Sequence, residues 1–452
     1  MSGSPFQRCL AALRSLTCIG LVLVLQQAAH AAPPIEQWTG AGGARVHLVS
    51  LPTLPMLDVQ IDFDGGSRRD PLAQAGLAQA TAIMFDKGVE AQGGLAAKDE
   101  NALVEAWADL GAQFSVQASA DRLSVRLRTL TQPETLASAV ELASRQLAHP
   151  LFPEGVWTRE RDRLVAGWRQ AQTRPDTLAN RLFAQAVYGD HPYGFEPQPE
   201  TWARIQVTDL KGFHQRHVRA CDARVTLVGD IDRQQAEGLV TRLLSGLSAR
   251  ACDPLSDVAE VSGLAAAQEI RRPFQAAQAQ ILVGQPGFPR QDPDFLALTL
   301  ANHMLGGGGF TSRLMQEIRE KRGLTYGIHS YFTPGRHAGA FTVSMQTRPD
   351  QAQEAVDLIH AEIRRFVETG PTDEELQQAR DSLINGFALR LDSNRKLLDN
   401  VASMAWNDLP LDYLDTWTAQ VAAITRQQLM DALRRVIDPG RMVTVVVGGA
   451  RS

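Results

Sequence analysis

Apolar and polar residues alternate at period two through Leu123-Ser124-Val125-Arg126-Leu127 and Phe341-Thr342-Val343, which predicts strands with one buried face. Apolar residues recur at helical spacing from Leu136 to Leu147 and from Ala352 to Val367, which predicts helices following those strands. A further strand is expected over Arg224 to Val228, with a helix from Arg233 to Leu247 running back against it. Gly76 to Gly88 is an amphipathic segment that its last glycine can cap. Strands mixed with long helices in hairpin-like order predict an α+β fold in which helices cover one face of each sheet.

The pattern occurs twice. At an offset of 219 to 220 residues, Val59-Gln60-Ile61 meets Ala279-Gln280-Ile281, and Arg161-Asp162-Arg163-Leu164 meets Arg380-Asp381-Ser382-Leu383. Val225 to Gly229 likewise meets Thr444 to Gly448. Three matches in order divide the chain into related halves, 32–255 and 256–452. The joint falls in Ala251 to Glu269, where Pro254, Ser256 and Gly263 interrupt the periodic pattern. A cleft between the halves is the expected place for chemistry.

The amino terminus carries Arg8 and Arg14, an apolar run from Leu16 to Leu25, and then Ala29-His30-Ala31. This reads as a cleaved export signal over 1–31, since the run is about half the roughly 20 residues of a membrane span. A periplasmic protein with no membrane attachment after cleavage is the expectation. The whole chain has 45 basic and 50 acidic residues, a net charge of −5. Losing two arginines leaves 43 and 50, or −7, and without a long basic run a nucleic-acid partner is excluded. The 44% apolar content excludes disorder as the main state.

Of four cysteines, Cys221 and Cys252 remain after cleavage. The strand and antiparallel helix between them each span roughly 20 Å, so the two return to one edge and can form a bridge in an oxidising compartment. Two free thiols are the alternative. His214, His217 and Cys221 have spacings compatible with metal ligation, although histidines here more simply face solvent or cap a helix.

The segment Gly76-Leu77-Ala78-Gln79-Ala80-Thr81-Ala82-Ile83-Met84-Phe85-Asp86-Lys87-Gly88 resembles the insulinase, pitrilysin and mitochondrial-processing-peptidase family of inverted-motif zinc peptidases. Catalytic members read G-L-A-H-x-x-E-H-M-x-F-K-G, with two histidines on one helical face binding zinc and the glutamate serving as base. The frame is present here, but the three chemical positions hold Gln79, Ala82 and Ile83. The resemblance places the distal glutamate ligand at Ala166 or Gly167, in the helix opened by Glu160-Arg161-Asp162. Alanine, isoleucine and glycine offer no ligand side chain, and neutral glutamine is a poor substitute for imidazole. No catalytic metal is therefore expected in this chain. His191-Pro192-Tyr193-Gly194 resembles a structural turn of the family.

The second half holds Gly306, Gly307, Gly308 and Gly309, then Phe310-Thr311-Ser312-Arg313-Leu314 and Gly323-Leu324-Thr325-Tyr326. The glycines predict a mobile loop leading to a short helix capped at Thr311 or Ser312. No Gly-Lys-Ser/Thr follows, which excludes a phosphate loop. The stretch resembles the family's S-R-L-x-x-x-x-R-x-x-x-x-L-x-Y, which puts Arg319 and Tyr326 in place of the arginine and tyrosine that serve the active site from across the cleft. Arg319 would end a helix and Tyr326 open a strand. Both are donors suited to a peptide carbonyl or developing oxyanion. A purely structural alternative pairs Arg319 with a surface carboxylate and packs Tyr326 beside Leu324 and Ile328. Arg322 is the competing arginine, at a shorter spacing.

The resemblance implies two homologous α/β-roll halves enclosing a cleft. It also implies a zinc-free subunit of an exported heterodimeric metallopeptidase, with no cofactor of its own and zinc expected in an H-x-x-E-H partner subunit. Unstructured peptides are the expected substrates. A non-enzymatic peptide-binding or assembly module, and a stand-alone peptidase with a relocated metal site, are the alternatives.

Overall fold

The computed structural model describes residues 33–248 and 252–449. The export segment at 1–31 lies outside the described residues. The first half contributes β1 (Glu36–Thr39), β2 (Arg45–Ser50), β3 (Met56–Phe63), β4 (Gly88–Val89), β5 (Lys98–Asp99), β6 (Gln113–Ala118), β7 (Leu123–Leu130) and β8 (Arg224–Gly229). The second contributes β9 (Gln268–Arg272), β10 (Ala279–Pro286), β11 (Ile328–Phe332), β12 (Ala340–Thr347) and β13 (Val443–Val447). Their sheets run β1-β2-β8-β3-β7-β6 and β11-β12-β10-β13-β9, and β4 pairs with β5 in a small ribbon. In each large sheet one pair is parallel, β2 with β8 and β9 with β13, and the other pairs are antiparallel. Apart from β1, the two sheets share one order, so the repeat in sequence is a repeat in topology.

Alternation decides the faces. Along β7, Leu123, Val125 and Leu127 are buried while Ser124, Arg126 and Arg128 are half-buried. Helix Pro133–Ala148 opens on Pro133, preset for a first helical position, and lays Val140, Ala143 and Leu147 on this core. Helix Ala352–Thr369 does the same for the second sheet through Val356, Ile359, Ile363 and Phe366. Each fully buried aliphatic side chain contributes about 1.5–3 kcal/mol. The helix expected to reach Leu247 ends at Leu244, where the chain turns into the inter-half segment.

The second face of each sheet is not left bare, as a cover on one face would leave it. Helix Pro175–Tyr188 of the first half sets Ala179, Phe183 and Val187 on Leu282, Val443 and Val445 of the second sheet. Helix Asn394–Trp406 of the second half returns Leu397, Leu398, Val401 and Met404 onto Val49 and Val228 of the first. The exchange is also tied by polar contacts. Arg224 stacks 4.9 Å over the Trp406 ring and donates to its carbonyl at 2.6 Å and to Asp408 at 3.2 Å. Asp408 adopts φ 53°, a left-handed conformation that aspartate tolerates, immediately beyond the exchanged helix.

Candidate functional site

The motif segment forms helix Leu77–Met84, extended by a tight turn over Phe85–Lys87. Its amino end is held by buried Asp70, which accepts from Gly76 N–H at 2.9 Å and Ala78 N–H at 3.0 Å. These bonds satisfy two amides that a helix start leaves orphaned. Gly76 sits at φ 98°, with Trp202 Nε1 2.6 Å from where a Cβ would be, so no larger residue fits. The frame has a structural reason to persist without the chemistry. Burial lifts the Asp70 carboxyl to about 7, against the pull of the three helix amides. At the other end, buried Gln146 accepts from Trp107 Nε1 and donates to the Phe85 carbonyl at 3.0 Å. Neither Asp70 nor Gln146 stands out in the sequence pattern; the available signal, for Gln146 alone, is a polar residue on the helix face that carries Ala139, Leu142 and Ala143.

On this helix Gln79 is exposed, Ala82 buried and Ile83 half-buried. Ala166 and Gly167 are exposed on helix Glu154–Ala171, where Trp157 and Glu160 are the buried residues. A family zinc ion would find one neutral carboxamide at its four positions, so the donor set does not fit the metal. Beyond the helix, Lys87 bonds Glu100 at 2.5 Å and lies 3.6 Å from Glu160, which also meets Arg159 at 2.9 Å and Arg163 at 3.0 Å. Glu160 is thus held in a local ion-pair cluster. The helix packs beside β6, an edge of the first sheet.

In the second half the glycine run is ordered packing rather than the expected mobile loop. Helix Phe295–Asn302 continues into a wider π-type turn, His303–Gly307. A Cβ on Gly306 would stand 2.5 Å from Ser330 Oγ and 2.6 Å from Ser330 N, and one on Gly307 would stand 2.6 Å from Asn302 Nδ2. A Cβ on Gly308 would meet the His303 carbonyl at 2.6 Å; Gly309 alone of the four has open space, at φ 65°. The missing side chains let the turn press on edge strand β11, where Asn302 Nδ2 donates to the Ser330 carbonyl at 3.0 Å. Ser312 is buried and donates to the Gly309 carbonyl at 2.7 Å. Arg313 then anchors the following turn through two 2.7 Å bonds to Glu375.

Arg319 lies in a second π-type turn, Met315–Glu320, with its guanidinium 4.5 Å from the Phe310 ring centroid and Nη1 donating to Glu320 at 2.6 Å. Tyr326 precedes β11 rather than opening it, and is 90% exposed. Leu324 and Ile328 go into the core, so Tyr326 does not pack between them as the structural alternative requires. The neighbouring carboxylate that this alternative assigns to Arg319 is present as Glu320. Arg319 and Tyr326 are not bonded to each other; each presents donors at the surface. Arg322 bonds the Glu317 carbonyl at 2.6 Å and its carboxylate at 3.1 Å. Phe310, which stacks Arg319, was signalled only by an aromatic residue directly after four glycines.

The remaining candidates are structural. His214 and His217 are buried, not solvent-facing, because each donates a ring N–H to a carbonyl, Leu147 and Asp64 respectively, at 2.8 Å. Cys221 and Cys252 are joined as a disulfide with Cα atoms 5.9 Å apart. The one group of three metal-type ligands among the described residues is this pair with Asp222, which is also bonded to Arg219 at 2.8 Å. While the sulfurs are bonded to each other, this is not a metal centre. Tyr193 of the His191 turn donates to Asp121 at 2.6 Å and accepts from His337 N–H at 3.2 Å, linking the halves.

Two topologically equal sheets, exchanged helices and a peptidase motif helix without its ligands define a pseudo-peptidase of the insulinase-like class. Residues 204–383 match the model described as the peptidase M16 inactive domain. The fold superposes on the peptidase M16 inactive domain from Pseudomonas fluorescens with a TM-score of 0.85 and 31% identity, covering 92% of this chain and 99% of that one. An uncharacterized zinc protease of Streptomyces coelicolor is 24% identical over 428 residues, 92% of this chain and 90% of that protein. The non-peptidase homolog YmxG of Helicobacter pylori is 23% identical over 384 residues, 84% of this chain and 86% of that protein. The chain belongs to the peptidase M16 family, as a non-catalytic member. No helix among the described residues is long and apolar enough to cross a membrane.

Proposed function

We propose that this chain is the zinc-free subunit of an exported, periplasmic, heterodimeric metallopeptidase. It would bind an extended peptide beside a zinc-bearing H-x-x-E-H subunit, which supplies the metal. The observation that carries the reading is the pairing of a preserved motif helix holding Gln79, Ala82 and Ile83 with the exposed Tyr326 hydroxyl and a partly exposed Arg319 guanidinium, of which Nη1 bonds Glu320. Arg319 would hold a substrate carbonyl through its guanidinium, oriented by Phe310, and Tyr326 would offer its hydroxyl to a carbonyl in the same segment. An extended backbone could add to the edge at β6.

The chain purified alone should contain no stoichiometric zinc and cleave no unstructured peptide. Mixing it with an adjacently encoded or copurifying chain that has an intact zinc motif should produce cleavage above that of either alone. Stoichiometric zinc with cleavage by the isolated chain would contradict the reading and favour a relocated metal site. Peptide binding with no partner that restores cleavage would favour a peptide-binding or assembly module.

A further inference from the structure

A cavity of about 230 Å³ lies under Tyr326, lined also by Gln278, Gln280, His329, Ser344 and Gln346. Register places the sheet residues of this group on one face: Gln280 opposes Gln346, Leu282 opposes Ser344, and Ser344 opposes His329. The same face, one step along β10, carries Leu282, covered by Phe183 of the exchanged helix. An apolar covered surface therefore gives way abruptly to an uncovered, hydrogen-bonding one. No aspartate, glutamate, lysine or arginine lines the cavity.

The repeat supplies an internal comparison. Gln60, the counterpart of Gln280, donates its carboxamide to both oxygens of Asp62 at 3.0 and 2.8 Å. Arg122 and Ser124 complete that carboxylate's shell. The counterpart of Asp62 is Leu282, which can accept nothing. Gln280 is buried, yet among the described residues its carboxamide nitrogen has only Ser344 Oγ at 3.2 Å, and its carbonyl oxygen accepts from no side chain. The first half commits its glutamine's amide to Asp62 and leaves Gln60 Oε1 buried without a partner; the second gives the Gln280 amide a single hydroxyl partner and sets its carboxamide in the cavity lining.

We infer that this cavity is a specificity subsite for a carboxamide side chain, glutamine or asparagine, of a bound peptide; the inference rests on the peptide-binding reading of Tyr326 above. A carboxamide can accept from Gln280, His329 or Tyr326 while donating to Gln280, Gln346 or Ser344. A carboxylate or ammonium group would meet no aspartate, glutamate, lysine or arginine as counter-ion among the lining residues. An aliphatic side chain would cover the Gln280 carbonyl without pairing it.

The test pans a random dodecapeptide library displayed on phage against the immobilised mature chain and sequences the bound peptides. Glutamine and asparagine should be enriched about tenfold over glutamate and aspartate at one position, as one well-made hydrogen bond allows. The enrichment should vanish with Gln280→Leu and with Gln346→Leu. Circular dichroism checks both folds, and exposed Gln346 keeps the test valid if the buried substitution misfolds. Bound peptides with no such preference, or a preference unchanged in both variants, would overturn the subsite alone. No enriched peptide at all would overturn the peptide-binding reading and the subsite with it.

Discussion

Two glycines three positions apart show how far residue type and role can separate. Gly306 is fixed by contact, with a Cβ 2.6 Å from a backbone nitrogen of β11, whereas Gly309 is fixed by its φ of 65° in open space. Gly306→Ala should therefore cost about 1–3 kcal/mol through overpacking. Gly309→Asn should be nearly neutral, since asparagine tolerates that conformation. Urea unfolding of the two variants checks the contrast, and equal losses would contradict it. A glycine run is visible in sequence, but the reason for each glycine depends on β11, whose pairing is distant along the chain. Buried His217 makes a second prediction. Burial chiefly lowers its ring to about 4, with Arg69 and Arg216 adding to the effect and the Asp64 carbonyl and charge opposing it. Between about pH 6.5 and 4 the unfolded chain binds the proton that the folded ring refuses, so stability falls as pH falls through this window. One such group contributes up to about 3 kcal/mol. Asp70, raised to about 7, works in the opposite direction, because its folded carboxyl holds a proton that the unfolded one releases. The measurement is thus a difference: His217→Asn should lose less stability than the wild type between pH 7 and pH 4.5, and an equal loss would refute the assignment.

The elements with strong periodicity were legible in the sequence, because β7 and helices Pro133–Ala148 and Ala352–Thr369 each present one apolar face to one core. The exchanged helices were not, since an apolar stripe such as Ala179, Phe183 and Val187 does not say which sheet it will meet. Phe183→Ala should cost about 3–5 kcal/mol, and it should loosen the second sheet although the residue belongs to the first half. Hydrogen exchange at β10 and β13 reads this directly; protection lost only within the first half would contradict the exchange. The inter-half segment is stitched on both sides. Cys252 bonds Cys221, Asp253 accepts from Arg219 at 3.2 Å, and Glu260 accepts from Ala338 N–H at 2.7 Å. With a sequence separation of 31 residues, the bridge should contribute about 3–4 kcal/mol by loop entropy. Cys221→Ser should lower the unfolding midpoint accordingly. Equal gel mobility with and without reductant, together with two titratable thiols in the unfolded wild type, would refute the bridge.

At the scale of the whole molecule, two copies of one topology have diverged in opposite ways. The first keeps the frame of a zinc helix, held by Asp70 and Gln146, and has non-ligating residues where the metal chemistry belongs. The second keeps an arginine and a tyrosine at the surface, with a neutral polar cavity beneath the tyrosine. The missing ligands were legible because a metal motif requires particular residue types at particular spacings. The setting of Arg319 was not, because its partner ring, Phe310, comes from the turn that the glycines allow. The first copy lacks the family's zinc ligands, and under the proposed function a second chain completes the site. The most direct measurement is the peptide-cleavage rate of the complex reconstituted with a zinc-bearing relative, comparing the wild-type chain with Arg319→Ala and Tyr326→Phe. The account predicts unchanged assembly and a rate lowered about 10² fold or more for Arg319→Ala, with a smaller loss for Tyr326→Phe. Complexes that assemble and cleave at the wild-type rate with both substitutions would contradict it.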